Sequence, residues 1–197
     1  MPTKKVVVIA SGETERKALP HLSRDLREHG IDLSDIRSLP QLGEQGRDER
    51  LRGTIKSAWY DLSGRGQPPN KFVVLVDADG KPPDEVVAPI RAACAHLRDI
   101  PVACIVTAAK WHLEAWFFGD EQGLREYLGR DLGSVDPSHP DQILDPKRHL
   151  KNLLKGTYGR DTAEEIARRV RPSIIRTHSP SFNAFEQALR NGKDSQD

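Results

Sequence analysis

The sequence predicts an α/β fold: an open, mostly parallel sheet with helices on both faces, followed by a helical C-terminal extension. Three observations carry this expectation. Apolar runs at 5–10, 72–76 and 100–107 are the near-continuous hydrophobic strands of a sheet covered on both sides. Amphipathic helical patterns separate them, the alternation that builds right-handed crossovers between parallel strands. After residue 145 the apolar spacing is helical throughout. A segment rich in Gly, Pro, Asp and Ser at 129–145 divides the chain. Residues 1–128 are thus expected to form the sheet domain, and 129–197 a loop and helices packed on it.

The elements follow in order. Lys5 to Ala10 is a buried strand, and Ser11-Gly12-Glu13-Thr14-Glu15 turns it into a helix. Ala18, Leu19, Leu22 and Leu26 keep helical spacing to His29, with Gly30 as the stop; Pro20 implies a kink or a late start. Ile36 to Leu39 reads as a short second strand. Leu51, Ile55, Ala58, Trp59 and Leu62 mark the next helix, and 63–70 is a loop. The strand Phe72–Val76 leads to a helix opened by Pro82 and Pro83, with Val86, Val87, Ile90, Ala93, Cys94 and Leu97 facing inward. Ile100 to Thr107 is a further strand and Trp111 to Phe118 a short aromatic-rich helix. Beyond the loop, three helical stripes follow: Leu150, Leu153, Leu154 and Tyr158; Ile166, Ala167 and Val170; Phe182, Phe185 and Leu189. Residues 191–197 read as a frayed tail.

Composition narrows the class. The 197 residues are 37% hydrophobic and 30% charged, with material for a core and no apolar run as long as a membrane span. The stretch Val6 to Ala10 is too short for a secretion signal. Cys94 and Cys104 sit in apolar company with neither CxxC nor zinc spacing, which points to two buried thiols and a cytoplasmic location. Net charge is +1, yet from Lys147 onward 11 Lys and Arg face 6 Asp and Glu. A basic C-terminal part suits a phosphate-rich ligand such as nucleic acid, although amphipathic helices also solvate their outer faces this way.

The chemistry concentrates at strand ends. Lys71 to Val76 runs into Asp77-Ala78-Asp79-Gly80. In open α/β sheets, ligands sit beyond the carboxyl ends of the strands. Asp and Gly also make ordinary turns, but turn chemistry does not need both acids after so apolar a strand. Glu13 and Glu15 follow the first strand, Asp77 and Asp79 the third, and Glu114 the fourth. On one sheet edge these acids meet in space and suit one or two Mg²⁺ or Mn²⁺ ions that clamp a phosphodiester. Glu13 and Glu15 also fit as acids favouring a helix N-terminus, and Glu114 as an exposed helix position. Lys110 is a candidate phosphate contact. His112 and Glu114 share the H-x-E spacing of deaminases without the P-C-x-x-C. HExxH, Walker A and GxSxG are absent from the sequence.

These residues resemble a known pattern. A first strand ending in G-x-T-E, a later one ending in D-x-D-G, then E-A-W is similar to the Toprim-like bacterial family called domain of unknown function 4276. Pro146-Lys147, Tyr158-Gly159 and Ser179-Pro180-Ser181-Phe182 extend the resemblance over roughly residues 5–190. It implies a Toprim-like sheet, Mg²⁺-dependent chemistry related to nucleases of the overcoming-lysogenization-defect type, and work beside an ATPase in defence against phage. The family turn usually reads E-G-x-T-E, and its first Glu is the Toprim catalytic acid. Here Ser11 stands at that position, Gly12, Thr14 and Glu15 match, and Glu13 falls on the variable one. Two readings follow. One is a nuclease with Asp77 and Asp79 on the metal, Glu13 or Glu15 completing its shell, Glu114 on a second ion or as base, and Lys110 on DNA or RNA. The other is a catalytically degenerate binding or sensor subunit of an ATPase complex.

Overall fold

The structure is a computed structural model that describes residues 3–40, 47–156 and 158–191. Its centre is a four-stranded sheet of β1 (Lys4–Ala10), β2 (Ile31–Ser38), β3 (Lys71–Asp77) and β4 (Ala103–Ala109) in the order β2-β1-β3-β4. Every pair is parallel, with Val8 opposite both Ile36 and Val73, and Val73 opposite Ile105. The tail expected after residue 190 lies outside the described residues from 192 onward.

The strands' alternation sorts their side chains into two cores. Val6, Val8, Ala10, Val73, Leu75 and Ile105 face one side; Val7, Ile9, Phe72, Val74, Val76 and Val106 face the other. Successive strand residues point to opposite faces, so a run that is apolar at every position must be covered twice. One cover is α1 (Glu13–Leu22), through Ala18, Leu19 and Leu22. The opposite cover is α2 (Arg47–Gly64) and α3 (Pro83–Ala95), through Leu51, Ile55, Ala58, Val87 and Ile90. The chain steps outward from β1 to β2, then returns across β1 to β3 and continues to β4. The carboxyl ends of β1 and β3 are therefore where connections leave in opposite directions, the crevice in which α/β sheets place ligands.

The remaining helices are α4 (Glu114–Phe118), α5 (Glu121–Leu128), α6 (Pro146–Leu153), α7 (Arg160–Arg169), α8 (Pro172–His178) and α9 (Pro180–Arg190). All add to the α1 side, where Trp116, Phe117, Phe118, Ile166, Phe182 and Phe185 are fully buried. Both ends of α9 are tied down. At its start Ser179 caps the Phe182 N–H at 3.1 Å, while Asp141 accepts from the Ser181 N–H at 2.7 Å and from both hydroxyls at 2.8 Å. At its end the buried Lys71 ammonium donates to the Ala188 carbonyl at 2.6 Å and to that of Asn191. A cation at a helix C-terminus answers its orphan carbonyls.

Several boundaries differ from expectation. The second strand starts at Ile31 rather than Ile36 and is eight residues long. The first helix begins at once at Glu13 and stops at Leu22; Arg24–His29 continue as a 3-10 turn that ends at Gly30 in the left-handed region. The 3-10 turn keeps Leu26 on the buried side, which is why the spacing looked like one helix. The fourth strand lies at 103–109 rather than 100–107. Tyr158 is not on a helical stripe, because α6 ends at Leu153 and Tyr158 follows in a loop.

Candidate metal centre

Four stretches of chain meet at the crevice between β1 and β3. Beyond β1, the first turn of α1 brings Glu15 back over the turn. A Cβ on Gly12 would lie 2.8 Å from Glu15 Oε2, so the carboxylate reaches this place only because residue 12 has no side chain. Asp77 is the last residue of β3. The Ser11 hydroxyl stands between the two acids, 3.3 Å from Glu15 Oε1 and 3.2 Å from Asp77 Oδ2. It has one proton to give, so it satisfies one carboxylate at a time. Glu114 opens α4 and is 2% exposed. Its Oε1 accepts a hydrogen bond from the Tyr158 hydroxyl at 2.9 Å and lies 3.9 Å from Lys147 Nζ.

The turn after Asp77 is held from the β4 side. The Asp79 and Gly80 N–H groups donate to the carbonyls of Trp111 and Lys110. Gly80 has φ +77° and its missing Cβ would fall 2.4 Å from the Trp111 ring, so the indole packs directly on the backbone. Asp79 also adopts a positive φ, 49°, which Asp tolerates.

Burial and mutual repulsion dominate the electrostatics. Burial raises the Asp77 pKa well above its usual value of 3.8, and the charges of Glu15, Glu114 and Asp79 add to the effect. Burial likewise raises Glu15 above 4.5, with Glu114 contributing in the same direction. Tyr158 is pushed far above its ordinary range, first by burial and then by the Glu114 charge. Folded Glu15 and Asp77 therefore bind protons more tightly than the unfolded chain does. Their favourable contribution is complete below the unfolded values near pH 4 and is lost as the pH rises through the raised folded ones. In chelator, Asp77→Asn should gain melting temperature over wild type as the pH climbs from about 4 to about 8. Parallel pH profiles for the two proteins would contradict this assignment.

The expected site residues divide. Glu15, Asp77 and Glu114 share one electrostatic neighbourhood. Asp79 borders it, with its Oδ1 2.9 Å from His112 Nε2. Glu13 points away, paired with Arg16 at 2.7 Å on the exposed side of α1. Lys110 donates to the Gly80 and Lys81 carbonyls at 3.3 and 3.2 Å, where it braces the Asp77–Gly80 turn. Sequence reasoning had no role for Tyr158 and Lys147, which hold Glu114, or for His112, which holds Asp79. Their motif positions were visible, but only tertiary contact gives them a partner.

The donor set is made of carboxylate and hydroxyl oxygens, the chemistry that hard divalent cations take. Among the described residues, no three His, Cys, Asp or Glu side chains stand close enough together to hold an ion as they are. The Ser11 and Tyr158 hydroxyls lie within hydrogen-bond distance of the carboxylates instead.

A family model described as "Domain of unknown function (DUF4276)" matches residues 11–190. The chain belongs to this family. The match takes in Ser11, Glu15, Asp77, Glu114, Lys147 and Tyr158, so this DUF4276 chain carries its whole acidic crevice within the family region. Among solved structures it is similar to the C-terminal region of the Xanthomonas campestris pv. campestris OLD protein. The iodine-phased structure has 17% identity and a TM-score of 0.42, covering 94% of this chain and 95% of that one. The mercury-phased structure gives 16% and 0.42, covering 94% and 96%. No curated protein matches. No helix among the described residues is long and apolar enough to cross a membrane.

Proposed function

We propose that this DUF4276 protein is a Toprim-type nuclease that uses Mg²⁺ or Mn²⁺ to hydrolyse phosphodiester bonds in DNA or RNA, beside an ATPase partner in defence against phage. One observation supports the reading above the others. Glu15 and Glu114 are buried beside the half-buried Asp77 at the sheet's divergence point, with the Lys147 ammonium 3.9 Å from Glu114. Buried like charges are costly unless protonated or matched by a cation. A bound divalent ion supplies that charge, polarises the phosphodiester and acidifies a water.

The chain's residues then take distinct roles. Glu15 and Asp77 offer oxygens as the Ser11 hydroxyl turns aside. Asp79 joins them on leaving His112. Glu114, oriented by Tyr158, accepts a proton from the attacking water. Lys147 holds a phosphate oxygen, and the exposed Arg148 and Lys151 on α6 continue the basic surface along the backbone. Lys110 keeps the Asp77–Gly80 turn in place.

A second reading rests on Ser11. Its hydroxyl lies within hydrogen-bond distance of both acids where the family usually has a further carboxylate, an arrangement suited to a silent binding or sensor subunit of an ATPase complex. Plasmid nicking and single-strand degradation separate the two. Purified protein should cleave with Mn²⁺, and Asp77→Asn should not. Absence of cleavage with every cation, with and without the ATPase, supports the silent subunit instead. Ser11→Glu adds a further carboxylate beside Glu15 and Asp77, which already repel each other and Glu114. It should lower the melting temperature in chelator and gain more from Mn²⁺ than wild type does. Identical behaviour would mean that residue 11 does not face the ion.

A further inference from the structure

Away from the acidic crevice, Cys94 on α3 and Cys104 on β4 place their sulfurs 2.9 Å apart. We propose that these two thiols form a redox-active pair that closes to a disulfide between α3 and the edge strand of the sheet, with glutathione disulfide as oxidant. The inference is independent of the proposed nuclease.

Geometry and environment support it. A disulfide bond is about 2.05 Å long, so the sulfurs need to approach by less than about 1 Å. Both residues belong to the core under α2 and α3: Cys94 is buried within it, and Cys104 packs against its margin, half-exposed. Neither residue is at a chain end or in a long loop. Each lies on a regular element whose packing fixes the direction of its side chain. The pair also differs in access, which sets an order of events. Cys104 is the more exposed residue of the two, and Cys94 is buried in the core.

The chemistry is ordinary thiol–disulfide exchange. The Cys104 thiolate attacks one sulfur of glutathione disulfide, forms a mixed disulfide and releases one glutathione thiol. The Cys94 thiolate then attacks the Cys104 sulfur, forms the Cys94–Cys104 bond and releases the second glutathione. Two S–H protons and two electrons pass from the protein to the oxidant, which leaves as two thiols. The product ties α3 to β4, which together form one wall of a cleft of about 510 Å³ through Val87, Arg91, Val106 and Ala108.

Intact-mass measurement after alkylation tests this on the native chain. Reduced protein should take up two alkyl groups. Protein equilibrated with glutathione disulfide should take up none, keep a monomer's mass and carry no glutathione. In Cys94→Ser the same treatment should leave one glutathione on Cys104, and in Cys104→Ser it should leave Cys94 largely unmodified. The oxidised wild type should melt above the reduced form, and dithiothreitol should reverse the shift. Wild-type protein that retains both thiols, or that accumulates stable glutathione adducts without closing the ring, overturns the proposal. Equal modification of Cys94 and Cys104 in the single variants overturns the assigned order.

Discussion

Asp77→Ala should abolish Mn²⁺ and Mg²⁺ binding, with affinity falling by more than the roughly 10- to 100-fold that loss of an outer-shell partner brings. Asp77 is the best-placed direct ligand. It ends the central strand β3, is paired with Ala109 of β4, and faces Glu15 through the Ser11 hydroxyl. Removing it leaves the site one hard oxygen short. Glu15→Ala should weaken binding less, because Asp77 and Glu114 remain. The same Asp77 variant should melt no lower than wild type in chelator near neutral pH, since it removes an acid that burial and its neighbours disfavour in the charged form. That combination separates a lost ligand from a damaged fold. Calorimetry giving equal divalent-ion affinity in wild type and Asp77→Ala would refute the metal assignment.

Trp116→Ala should cost about 3–5 kcal/mol in urea unfolding, the range for truncating a large buried aromatic. Trp116 is fully buried. Its ring meets Phe182 edge-on with centroids 5.1 Å apart and stacks on Phe185 at 5.5 Å. Its Nε1 donates to the Ser181 hydroxyl at 2.8 Å, which in turn donates to Asp141. One side chain thus joins α4, α9 and the 3-10 turn at Pro140–Gln142. Because Glu114 is two residues away on the same short helix, the variant should also lose divalent-ion affinity. Trp116→Phe refills most of the space and loses chiefly the N–H bond, worth about 1 kcal/mol. A cost below about 1 kcal/mol for Trp116→Ala would mean that α9 closes over the cavity, contrary to its two anchored ends.

The central strands were legible because their physics is local. Val6 to Ala10 and Phe72 to Val76 are apolar at every position, and only a sheet covered on both faces buries such runs. The second strand was half missed for the same reason. It is the edge strand beside β1, and Asp32, Asp35 and Arg37 give it a partly solvated character that masks its length. At the site, Asp77 could be placed from its position at the end of β3, and Glu15 from its position after β1. The choice between Glu13 and Glu15 could not be made, since both fall within the first turn of α1 and either suits a helix start. The rotation of α1 decides it, turning Glu15 inward and leaving Glu13 to Arg16. Glu114 looks locally like any acid on an amphipathic helix. Its burial comes with contacts from α6 and Tyr158, which lie more than thirty residues further along the chain. The C-terminal stripes showed that helices were present, but their assembly onto the α1 face depends on contacts such as Lys71 with α9.

The acidic crevice draws on residues 11–15, 77–79, 110–114 and 147–158, nearly the whole span of the chain. During synthesis the first three of these stretches emerge long before Tyr158. A nascent sheet therefore carries Glu15, Asp77 and Glu114 without the phenol and ammonium that hold the last of them. The complete crevice exists only once the C-terminal helices have docked, so a ribosome-bound or prematurely ended product lacks the contacts that hold Glu114, and after a cut in the chain between residues 128 and 146 those contacts rest on packing alone.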